Sequence, residues 1–442
     1  MRRRSAKTVI ACLVCALLVS CEREDQAPPF HRPIDLLPGS AHTTWIWDAP
    51  YPKDVPFFLR PPVPPKLLQA KEGALSLVRV ETRKGKTDAP IGGFDFGSTG
   101  ANDGALADLQ GQVFRDLRFG TVSGLILLRG QLKADDVGGP GLSRQSWFVK
   151  TQLGLDLLLP VDQKGSLRLI LDPRRSSMLR PWIQKIPKRF QSLLGYRSIL
   201  ALGLGTAGKG SLLAYGQLVR EPEGLVAALQ KLPADIVQRF RSTGSSWLCL
   251  GLDLPSWISE AIASFSATDD PMQGGAMAFL SSPLLKTLGP LGDPEVRAHL
   301  GKVVALATEA RFGKTFPKDP SRFVVLFGLR DRNAFEAALE PIAKASSGRG
   351  AKLFRLEKKD KGAWLVNLFG LPFRMQLREH FALLFSSRSR VLAAQILKDP
   401  PRSSSDPIPS FLEGVLHKGK EVSHLRMRRA GNGLALELNK TH

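Results

Sequence analysis

Residues Arg322–Leu339 read RFVVLFGLRDRNAFEAAL. Phe323–Phe327 is an unbroken run of apolar residues rich in aromatic and β-branched side chains, which predicts a strand buried on both faces. Asp331, Arg332 and Asn333 follow, and short polar side chains there cap the exposed N–H groups of a helix start. Phe335 and Leu339 are one helical turn apart and share one face. The stretch predicts a strand, a tight break and a helix that folds back over its own strand. The same order occurs a second time, in Ser211–Leu229 (SLLAYGQLVREPEGLVAAL).

Working outward, the recurrence extends to four ordered segments. Leu153–Leu157 (LGLDL) returns as Leu250–Leu254. Gly165–Leu179 (GSLRLILDPRRSSML) matches Gly274–Leu288 (GGAMAFLSSPLLKTL) in reading as a strand, a polar break and a helix start. The apolar runs Ser198–Leu204 and Val303–Thr308 precede the two long segments. A further unit, His380–Leu397, again runs strand, polar break, helix, and Val422–Arg429 with Leu434–Asn439 forms a closing hairpin around Ala430–Gly433. The fold class expected is α+β: two duplicated lobes of mainly antiparallel sheet with helices packed on one face. Lobe 1 spans 146–245 and lobe 2 spans 246–442. A β-rich segment at 66–145 precedes them, with strands at Ala74–Val80 and Gly120–Arg129. Gly92–Gly104 reads as a loop, and its Asp95, Asn102 and Asp103 lack the alternating oxygen ligands of a calcium loop.

The amino-terminal end has a different character. Arg2, Arg3, Arg4 and Lys7 precede an apolar run from Thr8 to Val19, which is too short to span a bilayer and has the layout of a secretory signal. Leu18-Val19-Ser20-Cys21 closes it. This tetrapeptide resembles the lipobox of bacterial lipoproteins. The resemblance implies cleavage after residue 20, lipid on Cys21 and a membrane as first partner. It also implies no inner-membrane retention, because Glu22 stands where an aspartate would signal it. The localisation expected is the cell envelope, on the outer membrane if the host is Gram-negative. Residues 21–65 read as a proline-stiffened tether, since 22–65 hold 11 of the 32 prolines. Its centre, Thr43–Asp48, carries Trp45 and Trp47 and is a candidate strand on the folded body. A tethered, exported chain with repeated strand, break and helix resembles an uncharacterised family of bacterial surface proteins with tandem α+β lobes. That resemblance implies a fold and no activity.

Charge narrows the partners. Without the signal, 58 cationic side chains face 40 acidic ones, a net +18. Such an excess draws anionic surfaces. Export excludes nucleic acid and leaves anionic lipids, envelope polymers or an unknown protein. Cys12 and Cys15 leave with the signal and Cys21 takes lipid, so Cys249 stands alone and no internal disulfide forms. Its apolar neighbours Trp247, Leu248 and Leu250 mark it as a small core residue.

Gly203-Leu-Gly-Thr-Ala-Gly208-Lys209-Gly210-Ser211 mimics a phosphate loop. A true one places Ser or Thr directly after the lysine and a helix after that. Here Gly210 intervenes and a strand follows, and the second copy offers Gly313-Lys314 in a similar place. Both read as hairpin tips, and Lys209 and Lys314 are the candidate anion contacts. The histidines lack i, i+4 spacing and no G-x-S-x-G elbow occurs, so neither a metal site nor a catalytic group is expected, and no cofactor. The function expected is a non-catalytic lipid-anchored envelope protein that binds a protein or an anionic component. A lipid- or lipoprotein-handling carrier and a hydrolase assembled from distant loops are the alternatives. Metabolic labelling with an alkyne fatty acid should tag the wild-type chain and leave Cys21→Ser unlabelled. Equal labelling of the two removes the anchor.

Overall fold

The computed structural model describes residues 32–95, 114–119, 122–127, 141–159, 166–206, 211–266, 293–309, 322–346, 354–399 and 409–441, apart from scattered short gaps inside those ranges. The chain divides into two units, Met1–Ala41 with Val63–Ser143, and His42–Pro62 with Arg144–His442. Strand β1 (Thr43–Asp48) belongs to the second. The first contains β2 (Glu72–Thr82), β3 (Gly85–Asp95), β4 (Phe114–Phe119) and β5 (Val122–Leu127), antiparallel in the order β2-β3-β5-β4. Gly92–Asp95, expected to open a loop, instead completes β3 opposite Glu72–Leu75. Ile91 and Phe94, on either side of Gly92 and Gly93, are both buried, and their burial holds the glycines in the ladder.

The second unit is built on one antiparallel ladder. Its strands in chain order are β1, β6 (Leu167–Leu171), β7 (Ile199–Thr206), β8 (Leu212–Leu218), β9 (Ser246–Gly251), β10 (Leu300–Thr308), β11 (Phe323–Leu329), β12 (Phe354–Asp360), β13 (Ala363–Leu368), β14 (Leu371–Leu377), β15 (Phe381–Ser386), β16 (Leu412–Lys418), β17 (Glu421–Ala430) and β18 (Gly433–Thr441). In space the order is β1-β6-β7-β8-β18-β17-β16-β9-β10-β11-β15-β14-β13-β12. The expected closing hairpin is therefore not at an edge. It is inserted between β8 and β9, which follow one another in sequence.

The helices that accompany this ladder include α1 (Ser146–Asp156), α2 (Gly224–Ala228), α3 (Ala234–Arg241), α4 (Leu254–Ser266), α5 (Arg332–Ala345) and α6 (Arg390–Leu397). The start of α5 is made as its sequence requires: the Asp331 carboxylate accepts the Ala334 N–H at 3.0 Å. Phe335 and Leu339 are both buried against Phe327 and Leu329. The helices do not, however, keep to one face. Trp247, Cys249, Ala305, Val324, Leu326 and Leu383 pack with Phe240 of α3 and with Leu392 and Ile396 of α6. The alternate residues Leu252, Phe327, Leu329 and Ala382 pack with α5, and Trp257 and Ile258 of α4 join them. Strands as apolar as FVVLFGL and FALLFS present hydrophobic side chains both ways, so each face needs a cover.

Trp45 and Trp47 are buried in β1, which pairs with β6 in the register Trp45↔Leu169. Arg168 of β6 clamps this edge, reaching Asp48 at 3.0 Å and Asp156 of α1 at 2.6 Å. The proline-rich segment thus contributes a strand to the body. The two LGLDL pentapeptides have unlike structures: Leu153–Leu157 ends helix α1, whereas Leu250–Leu254 runs from β9 into α4. Their aspartates nonetheless act alike, Asp156 holding Arg168 and Asp253 holding Arg330 at 3.4 Å.

Helix α1 approaches β8 closely at Gly154. A Cβ there would run into the ring of buried Tyr215, and a Cβ at Gly433 of β18 would meet the same ring. The ring has no free side to move towards. Alanine in mid-helix ordinarily gains about 1 kcal/mol over glycine, but crowding a packed core costs about 1–3 kcal/mol. Gly154→Ala should therefore lower stability by up to about 2 kcal/mol in urea denaturation. A stabilised variant would show that α1 is not seated on Tyr215.

Candidate functional site

Cys21, Lys209 and Lys314 lie outside the described residues. Their surroundings are partly described. Lys209 lies between Thr206, which ends β7, and Leu212, which begins β8; the two strands pair antiparallel, Leu204 opposite Ala214. Lys314 lies between β10 and β11, paired in the same sense. A strand, not a helix, follows Ser211, which removes the structural basis of a phosphate loop.

Two sizeable pockets in the second unit are lined by described residues. One is a trough of about 650 Å³ beside the end of α3, floored by β16, β17 and β18. Cross-strand register puts its polar floor on one face: Glu413 opposite Arg426, and Arg426 opposite Glu437. Glu413 is buried, and the Arg241 guanidinium donates two hydrogen bonds to its Oε1. Arg426 lies 3.9 Å from its other oxygen, and Glu437 holds Arg428 at 3.0 Å. His417 and His424 complete the polar lining. The charges of this trough are already matched. An entering anion competes with Glu413 for both arginines and forfeits charge-assisted hydrogen bonds worth about 1.5–3 kcal/mol each.

The other pocket, of about 450 Å³, has the opposite electrostatics. It sits where Leu200 starts β7, Leu218 ends β8, Arg429 nears the end of β17 and Leu434 starts β18. The Leu218 N–H donates to the Asn432 carbonyl at 3.1 Å, which fixes the β17–β18 turn against the end of β8. Gly431 in that turn has φ 53°, a conformation that favours glycine. Lys150 of α1, Arg220 after β8 and Arg429 frame the opening, and no carboxylate lines it among the described residues. None of the three cations makes an ion pair among the described residues. Glu221 follows Arg220 in the chain without lining the pocket, and Glu223 is engaged by the Ser192 hydroxyl at 3.3 Å. Gln217 also lines it; its Oε1 accepts the Thr151 hydroxyl at 3.0 Å. The remaining wall is apolar and half-buried, from Leu200, Val226, Leu229, Phe411 and Leu434.

This site escaped the sequence reading because its cations come from three distant segments. A weak signal existed in the two strand–helix segments, since each second strand is followed by an arginine, Arg220 after β8 and Arg330 after β11. Among the described residues only Arg330 finds an acid, Asp253. The pocket also lies at the base of the β7–β8 hairpin, whereas Lys209 belongs to the connection at the other end. Leu200 and Thr206 are about 20 Å apart along the strand at about 3.3 Å per residue.

No family model, curated protein or solved structure matches the chain. Among the described residues no three His, Cys, Asp or Glu side chains gather as metal ligands, and no helix is long and apolar enough to cross a membrane. Cys249 lies beneath the trough, fully buried. Burial pushes its thiol well up, the charge of Glu413 adds to this, and Arg241 offsets part of it. Unlipidated protein from which residues 1–21 are absent has this one thiol. It should resist Ellman's reagent at pH 8 when native and react fully in guanidinium. Prompt reaction of the native protein would mean that α3 does not cover this face.

Proposed function

We propose that this chain is a non-catalytic, lipid-anchored protein of the bacterial envelope whose body binds an anionic component of that envelope. The observation that carries the binding reading is the pocket framed by Lys150, Arg220 and Arg429, which has no acid among its described residues. All three cations are exposed, so an arriving anion has no described carboxylate to displace, and the +18 balance of the exported part favours anions at long range. The lipobox-like Leu18–Cys21 supports the anchor, and lipid on Cys21 raises the local concentration of the body at its membrane. The finer architecture belongs to the same reading: β7–β8 with α2, and β10–β11 with α5, as two copies of one unit. Each is an antiparallel hairpin running into a helix, and each leaves an arginine at the end of its second strand.

The test uses unlipidated protein starting at Glu22, which keeps β1 and the whole proline-rich segment. It should sediment with vesicles containing anionic lipid or lipopolysaccharide and not with neutral ones. Sedimentation should fade from 0.1 M to 1 M salt, as the Debye length falls from about 10 Å to about 3 Å. Indifference to anionic vesicles at low salt would leave the charge as a solubilising feature and the anionic-surface reading without support.

A further inference from the structure

Resting on the anion-binding reading, we infer that the 450 Å³ pocket is the site of a single-chain anionic amphiphile with a phosphate head. The head is set by the number of donors. Lys150, Arg220 and Arg429 bring three full charges to one opening, and the amides of Gln217 and Asn432 stand beside them. A carboxylate has two oxygens and is satisfied by one guanidinium fork. A phosphate monoester offers three charged oxygens and up to two negative charges, which suits three cations. The tail is set by the wall. Leu200, Val226, Leu229, Phe411 and Leu434 are only half-buried, so the structure itself does not remove them from water. An inorganic anion would leave that surface wet, whereas an alkyl chain covers it at about 25 cal/mol per Å². The size agrees: a methylene occupies about the volume of a water in the liquid, about 30 Å³, so the cavity accommodates a tail of about a dozen such groups and not two full acyl chains. The occupant is then a free single-chain lipid taken from the membrane, not the bilayer surface.

Dodecyl phosphate below its micellar concentration is the probe, titrated calorimetrically into unlipidated protein starting at Glu22. It should bind one to one, and at least tenfold more tightly than either inorganic phosphate or dodecyl maltoside. Replacing both Arg220→Gln and Arg429→Gln should weaken it at least tenfold, about 1.4 kcal/mol. Phe411→Ala should weaken dodecyl phosphate and leave inorganic phosphate unchanged. Protection of Cys249 from Ellman's reagent reports that each variant is folded. Inorganic phosphate binding as tightly as dodecyl phosphate overturns the tail, and unchanged binding in the folded double arginine variant overturns the site. Vesicle sedimentation separates this inference from the broader one. Anionic vesicles captured equally by wild type and double variant, with no dodecyl phosphate bound, sink the pocket and keep surface attraction. Dodecyl phosphate bound one to one by protein that ignores vesicles supports the pocket and removes surface attraction.

Discussion

The hydrogen-bonded insertion of the last two strand pairs, β18 onto β8 and β16 onto β9, is the constraint on which the second unit depends. Leu436 lies opposite Ala214 at one seam and Gly414 opposite Leu248 at the other. Without these ladders the β1-β6-β7-β8 and β9-β10-β11-β15-β14-β13-β12 sections have no shared strand. Each backbone bond contributes only about 1 kcal/mol net, but their loss would expose unpaired N–H and C=O groups along four strand edges. Gly414 marks how tight the seam is, since a Cβ there would come within 2.7 Å of the Trp247 carbonyl oxygen.

The same insertion creates both pockets and gives them opposite electrostatics. On one face it brings Glu413, Arg426 and Glu437 beside Arg241, so each charge meets its opposite in a half-buried setting. At the hairpin turn it brings Arg429 and Asn432 to the end of β8, where Arg220 and Lys150 stand without acids among the described residues. A matched set is a structural device, because desolvated charges are tolerable only when paired. An unmatched set at a solvent-open rim costs little while water is present and becomes favourable when an anion arrives. The contrast between Arg330, held by Asp253, and Arg220, unmatched among the described residues, makes the distinction within one chain.

Local chemistry accounts for what was readable in advance. The run Phe323–Phe327, the Asp331 cap, the helix carrying Phe335 and Leu339, the buried Cys249 and the β17–β18 hairpin all depend on residues near one another in the chain. The strand at Thr43–Asp48 was also readable, since two tryptophans alternate in six residues. Reading failed where a pattern is compatible with two states. LGLDL ends a helix in one place and a strand in the other because its burial is decided by partners far away. Gly92–Asp95 looked like a loop by composition and is a strand because Ile91 and Phe94 are buried. Helices cover both faces because the strands are apolar on both, a property visible in FVVLFGL but outweighed by the folding-back argument.

By itself the sequence determined many of the local elements, the excess of positive charge and the lipobox-like segment. Only the tertiary structure decided which strands pair, because β8 and β9 are consecutive in the chain and are parted by strands that begin about 160 residues beyond the end of β9. Register and pairing depend on the burial of whole faces, which is a property of the assembled sheet. For the same reason Lys150, Arg220 and Arg429 could not be grouped from their positions in the chain. Their shared pocket exists because an inserted hairpin ends where β8 ends, and no local pattern encodes that coincidence.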